Sequence, residues 1–181
     1  MKDAGCLNIA FGIETGSPTI LKEMDKFIKV ETALRAIRLC RKNGVFTTNT
    51  FILGMPGETQ KTIQETVQFC KDLGIPATFF YLNPYPGTPL YAQYKDKIVE
   101  KFGDLESYVL KLIDVTDFII NLTGMSDEDL IEAKRDAEKE LRTYLYLPPH
   151  VMFARVKEYY DYVGGLRPVL DMIGRKIKLT M

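Results

Sequence analysis

The sequence predicts an α/β fold: three parallel strands, each followed by helix, then a helical extension toward the C-terminal end. Three observations carry that expectation. Apolar runs begin at Cys6, Val45 and Ala77, at intervals of roughly forty residues. Each run ends on a corner rich in Gly or Pro, and each corner is followed by a stretch whose apolar residues recur at helical spacing. Crossover units of this kind pair their strands in parallel with a right-handed connection, so the strands should be adjacent in one sheet with helices on one or both faces.

The elements follow in order. "CLNIAFGI", Cys6 to Ile13, is mostly apolar and ends at Glu14, Thr15 and Gly16, which suits a strand buried on both faces. "SPTILKEM" has Ser17 as a candidate N-cap with Pro18 in the first turn, and "VETALRAIRLCRKNG" sets Ala33, Ile37 and Cys40 on one stripe before Gly44 closes the helix. "VFTTNTFILG" is a second strand. "ETQKTIQETVQFCKDLG" is a second amphipathic helix, with Ile63, Val67 and Cys70 in line, acids at its start and Gly74 at its end. "ATFFYLNPYPG" is a third strand, stopped by Pro84 and Pro86, and "TPLYAQYKDKIVEKFG" a third helix with Pro89 near its beginning.

Beyond Gly103 the pattern changes, which divides the chain into residues 1–103, the strand–helix units, and residues 104–181, a helical extension. "DFIINL" reads as a short extended piece or a helix end. Ser126 and Asp129 resemble a capping box opening "DEDLIEAKRDAEKELRTYL", which Pro148 and Pro149 then break. A last stretch carries Val156, Tyr159, Tyr160 and Val163 at helical spacing, interrupted by Gly164 and Gly165, and is expected to cover the domain's own core.

Composition narrows the function classes. Lys plus Arg and Asp plus Glu each number 24, so no long-range field draws the chain to nucleic acid or anionic lipid. The opening "MKDAGCLNIAFG" lacks the sections of a signal peptide, and no uncharged apolar run reaches spanning length, so a cytoplasmic protein without a membrane span is expected. Cys6, Cys40 and Cys70 form no Cys-x-x-Cys and stand among apolar neighbours, as small buried hydrophobes would. The single histidine, His150, lies beside two prolines and reads as an ordinary residue at a helix start; with no nucleophile elbow present, a hydrolase triad has no support.

In parallel sheets and barrels, ligands meet the carboxyl ends of the strands, where loops converge and helix N-termini point inward. Three loops qualify: "GIETGS", "LGMPGET" and "NPYPGTPLY". Glu14 places a carboxylate at the first strand end, Gly54 and Gly57 admit close approach of a flat ring, Asn83 adds an amide, and Lys26 is a point charge within reach of an anionic group. "GMPGET" has Glu58 where a P-loop needs its lysine, and no Gly-x-Gly-x-x-Gly follows any strand, so neither phosphate motif applies. Any strand-to-helix corner needs Gly and Pro. Three successive corners carrying Glu, Gly-x-Pro-Gly-Glu and Asn-Pro-Tyr-Pro hold more than turning requires.

Taken together and in this order, "FGIETGSPTILKEMDK", "NTFILGMPGET" and "YLNPYPGTPLY" resemble the second half of the barrel of radical S-adenosylmethionine enzymes. The likeness is to the large group with a cobalamin-binding domain that includes the anaerobic magnesium-protoporphyrin IX monomethyl ester oxidative cyclases. It runs from about Asn8 to Tyr91, with a weaker echo in the tail that begins "NLTGMSDEDL". The resemblance implies a partial (β/α)6 TIM-like barrel in which these strands are the fourth, fifth and sixth. It further implies that Ile52, Gly54, Pro56 and Gly57 lie against the adenine of S-adenosylmethionine. On the same basis Glu14 meets its ribose or amino-acid part, Lys26 faces its carboxylate, and Asn83 stands at the adenine end of the last strand.

The chain departs from that family at one decisive point: it has no Cys-x-x-x-Cys-x-x-Cys to hold a [4Fe–4S] cluster. The expectation is therefore a fragment of a longer enzyme, inactive alone and holding no metal or catalytic residue itself. The parent would use S-adenosylmethionine and [4Fe–4S], with the use of cobalamin left open. Its first partner is the upstream half of its own barrel; an unpaired strand edge and apolar barrel-facing side chains imply self-association of the fragment. The alternative is a non-catalytic α/β module that binds a small molecule or a protein at the same strand ends.

Overall fold

Strands β1 (Asn8–Glu14), β2 (Phe46–Leu53) and β3 (Thr78–Tyr81) lie in that order in one open, parallel sheet. This computed structural model describes residues 1–26, 29–112 and 116–144. The expectations for Pro148, Pro149, His150 and the stretch from Val151 onward lie outside the described residues. Helices α1 (Pro18–Glu23) and α2 (Val30–Lys42) connect the first two strands, and α3 (Gln60–Leu73) connects the second and third. Then follow α4 (Pro89–Phe102), α5 (Leu105–Val109) and α6 (Asp127–Tyr144). The α/β expectation with parallel strands holds.

Local chemistry explains most boundaries. Gly44 and Gly74 take left-handed φ of 66° and 57° where α2 and α3 end, a conformation that costs glycine little. At the start of α3, Thr59 accepts from the Thr62 amide and Thr62 returns the bond to the Thr59 amide, a full capping box. Thr88 caps α4 through the Tyr91 amide, with Pro89 following. Ser126 accepts from the Asp129 amide at 3.0 Å, which gives half of the expected box.

Apolar burial lies on one side of the sheet. Phe51, Leu53, Phe79 and Tyr81 pack with Ile63, Val67 and Cys70 of α3, Ile37 of α2 and Leu130, Ala133 and Ala137 of α6. The alternate residues, Ala10, Thr48, Thr50, Ile52, Thr78 and Phe80, therefore face the other way. That face was expected to be apolar. It is mixed, because threonines alternate with the half-buried Phe46, Ile52 and Phe80.

The other corrections have physical reasons as well. β1 is not buried on both faces: only Ile13 is buried along it, since β1 is an edge strand covered on one side. Of the cysteines only Cys70 is buried; Cys6 precedes the edge strand, Cys40 flanks the buried Ile37, and both are partly exposed. α3 has no acid in its first turn, because Glu58 lies before the cap and turns inward.

A second cluster joins Tyr91 and Ile98 of α4, Tyr108 of α5 and Ile119, Ile120 and Leu122. The "DFIINL" segment is neither strand nor helix. Its irregular backbone is held by Asn121, whose side chain donates to Met125 O and accepts from the Thr123 amide and hydroxyl. Met1–Leu145 form one compact unit, and the 103/104 division lies inside it, with α6 packed on α3. Among the described residues no helix is long and apolar enough to cross a membrane.

Candidate functional site

Because the three strands are parallel and adjacent, their carboxyl ends share one edge of the sheet. The register fixes who stands beside whom. Tyr81 pairs with Leu53, and the Leu82 amide donates to Leu53 O at 2.8 Å, so Asn83 follows immediately beside the Gly54 turn. Glu14 pairs with Phe51, three residues before Gly54 and so roughly 10 Å lower along β2.

The first strand end is strained and shaped. A register shift between Gly12 and Glu14 bulges the strand, and Glu14 takes a φ of 71°, a conformation most non-glycine residues avoid. Its carboxylate folds back over Gly12: a Cβ there would stand 2.8 Å from Glu14 Oε1, so a side chain at that position would displace the carboxylate. Lys26 Nζ donates to Glu14 Oε1 at 2.5 Å, and the two side chains retain 34% and 19% exposure. The structure thus brings together the anion and the cation that the sequence placed separately.

The rest of that loop turns away from the sheet edge. A Cβ on Gly16 would lie 2.6 Å from Phe69 Cβ and 2.9 Å from Thr66 Cα, so the loop touches α3 with no room for a side chain. Thr66 Oγ1 bonds both Thr15 Oγ1 and the Gly16 amide at 3.0 Å. Ser17 sits at the N-cap of α1 but does not cap it; its hydroxyl donates to Glu65 of α3 at 2.5 Å. Thr15 to Ser17 anchor the loop, and Glu14 is the residue left facing the edge.

At the second strand end Gly54 has a φ of 102° and Gly57 one of 81°. A Cβ on Gly54 would make only ordinary contacts with Leu130 and Leu82, and one on Gly57 would meet nothing, so conformation rather than crowding demands glycine at both. Pro56 is half-buried between them, and Ile52 stands below on the open face beside Phe80. The turn is closed from inside. Glu58, 1% exposed, accepts the Gly54 amide proton at 2.5 Å, and burial pushes its carboxyl from 4.5 to about 7 against the pull of the Gly54 and Met55 backbone bonds.

The third strand end supplies the most informative group. Asn83 is 7% exposed, yet neither its Nδ2 nor its Oδ1 has a hydrogen-bond partner. A buried amide left with both functions open costs about 1–3 kcal/mol per group, so such groups are uncommon in native folds. The backbone beside it is fixed, because the buried Tyr108 hydroxyl of α5 donates to Pro84 O at 2.6 Å.

Sequence reasoning singled out Glu14, Lys26, Ile52, Gly54, Pro56, Gly57 and Asn83; Ile52, Gly54, Pro56, Gly57 and Asn83 lie at the ends of β2 and β3 and the turns after them, Glu14 ends β1 lower down, and Lys26 is held beside Glu14 by their ion pair. It missed Gly12, Gly16, Thr66 and the inward turn of Glu58. For Glu58 a signal existed: a carboxylate four residues after a glycine, across a Pro-Gly corner, can reach back to that glycine's amide.

Residues 1–70 match the Radical SAM superfamily. Over 164 residues the chain is 39% identical to an uncharacterized methyltransferase of Pyrococcus horikoshii, covering 90% of this chain and 34% of that protein. The likeness to the Radical SAM superfamily is thus found over residues 1–70, and that to the methyltransferase over most of the chain. It is also 32% identical over 108 residues to the anaerobic magnesium-protoporphyrin IX monomethyl ester cyclase of Rubrivivax gelatinosus, covering 59% of this chain and 19% of the cyclase. A solved structure of the radical S-adenosylmethionine methyltransferase TsrM from Kitasatospora setae, with cobalamin and a [4Fe-4S] cluster bound, matches 53% of this chain and 20% of TsrM at 27% identity and a TM-score of 0.47. The chain spans about a third of the methyltransferase and about a fifth of the cyclase.

The chain's own residues fit one of the two groups that the likeness implies and not the other. The open donor and acceptor of Asn83, beside a glycine turn, fit the edge of an adenine, which offers both an amine and ring nitrogens. The residues do not fit an iron–sulfur cluster. Cys6, Cys40 and Cys70 are free and stand apart, before β1, in α2 and in α3, burial pushes the Cys70 thiol up to about 12, and no metal-holding group of His, Cys, Asp or Glu occurs among the described residues.

Proposed function

We propose that this chain forms one wall of the S-adenosylmethionine pocket of a longer radical SAM enzyme, of the cobalamin-associated group that includes methyltransferases and oxidative cyclases. The cluster ligands then come from sequence outside this chain, which on its own is inactive. The observation that carries this reading is Asn83, a buried amide with both hydrogen-bonding functions open beside the Gly54 turn.

Each residue has a role. Asn83 donates to and accepts from the adenine edge, while Gly54, Pro56 and Gly57 form the turn against the ring and Ile52 packs beneath it. Glu14 accepts from ribose hydroxyls or the amino group of the amino-acid part, held in its left-handed conformation over Gly12. Lys26 orients Glu14 through their ion pair and faces the cofactor carboxylate as a point charge. The bound cofactor supplies the radical chemistry; this chain's residues bind and orient it.

Anaerobic reconstitution of the full-length protein with iron and sulfide, followed by an assay for 5′-deoxyadenosine, tests the reading. Formation of 5′-deoxyadenosine supports it. A fully loaded cluster that cleaves no S-adenosylmethionine overturns it.

A further inference from the structure

Glu58 lies between Gly57 and Thr59, the cap of α3, both of which are exposed. It turns inward instead. Its Oε2 accepts the Gly54 amide proton at 2.5 Å, its own amide donates to Met55 O at 2.9 Å, and its Oε1 is buried without a partner. One residue thus ties both ends of the turn. The Thr59–Thr62 capping box already serves the first amides of α3, so the carboxyl is not there as the helix's anion.

We propose that Glu58 is a positioning residue, a proton-linked latch that grips the Gly54 amide when ionised and slackens when protonated, and so sets the shape of the turn beneath a docked nucleoside. Its role toward a nucleoside rests on the reading above, whereas the latch is a property of the free chain. A hydrogen bond to an ionised carboxylate is about twice as strong as one to a neutral group, so a single proton changes the grip.

Among the described residues no charged group fixes the carboxyl in one state. The turn itself offers the backbone of Gly54 and Met55, Leu82 just after β3 and Leu130 of α6 lie against Gly54, and α3 follows Thr59 with Thr62 in its first turn. The nearby charges of the site are engaged elsewhere: Glu14 with Lys26, and Glu65 with Ser17. Burial alone sets the balance, raising the carboxyl to about 7 with only backbone amides opposing, so both states are populated near neutrality.

The test follows the Gly54 amide proton of the 15N-labelled chain by NMR from about pH 5 to about pH 9. The latch predicts a downfield movement with rising pH, midpoint about 7, abolished in Glu58→Gln, which keeps an acceptor oxygen and hence the turn. A Gly54 resonance that does not titrate, or that titrates equally in Glu58→Gln, overturns it. Adding S-adenosylhomocysteine to the same samples separates the two claims. A titrating amide untouched by the ligand keeps the latch and counts against the nucleoside pocket; a shifted amide that never titrates does the reverse.

Discussion

Replacing Glu58 with glutamine should flatten the pH dependence of folding stability. In the fold this carboxyl titrates near 7, against 4.5 when free, because burial penalises its charge. Between those values the folded chain keeps a proton that the unfolded chain has lost, so stability falls as pH rises through the window and levels off above it. The displacement corresponds to about 3 kcal/mol once Glu58 is fully ionised in the fold. Below pH 4.5 both states hold the proton and Glu58 contributes no slope. Urea unfolding of wild type and Glu58→Gln across this range reads the difference directly from the midpoints, provided the slopes agree. The variant should gain on wild type steadily with pH and exceed it by about 1–3 kcal/mol near pH 8. Parallel profiles, or a variant that loses ground as pH rises, would refute the reasoning.

Gly16→Ala must push against Phe69 Cβ and the Thr66 backbone, and overpacking of this kind costs about 1–3 kcal/mol, so a urea midpoint equal to wild type would deny that contact. Lys26→Ala removes a partly exposed pair and should change stability by less than about 1 kcal/mol while weakening S-adenosylmethionine binding in the full-length protein. Unchanged affinity there removes the proposed carboxylate role. Among the described residues no further strand pairs with the outer edges of β1 and β3, which should drive association of the isolated chain, and light scattering that shows a strict monomer at high concentration contradicts this.

The strand–helix order was legible because it rests on local signals. The 3.6-residue stripe of Ile63, Val67 and Cys70 and the glycines at 44 and 74 each specify one conformation with little help from the rest of the chain. The candidate site was legible for a topological reason: parallel crossovers bring the three corners to one edge, so naming the corners named Glu14, Gly54 and Asn83. What stayed hidden depends on contacts between distant residues. The fit of Gly16 against Thr66 spans 50 residues, and the closure of Glu14 onto Lys26 runs through a strained backbone that no spacing rule announces. Glu58 was misread because an acid just before a helix ordinarily favours the dipole at the surface, and here the fold uses it as an internal tie. The both-faces burial expected of β1 failed because the first apolar run lies at the sheet's edge.

The claim that Asn83 waits for a ligand is tested most directly by Asn83→Leu. Leucine fills a similar space and relieves a buried amide that has no partner, so the variant should be at least as stable as wild type in the absence of cofactor. In the full-length protein, calorimetric titration with S-adenosylmethionine should then show binding weakened about tenfold or more, since about 1.4 kcal/mol of hydrogen bonding is lost with the amide. A leucine variant that binds the cofactor as tightly as wild type would contradict the account.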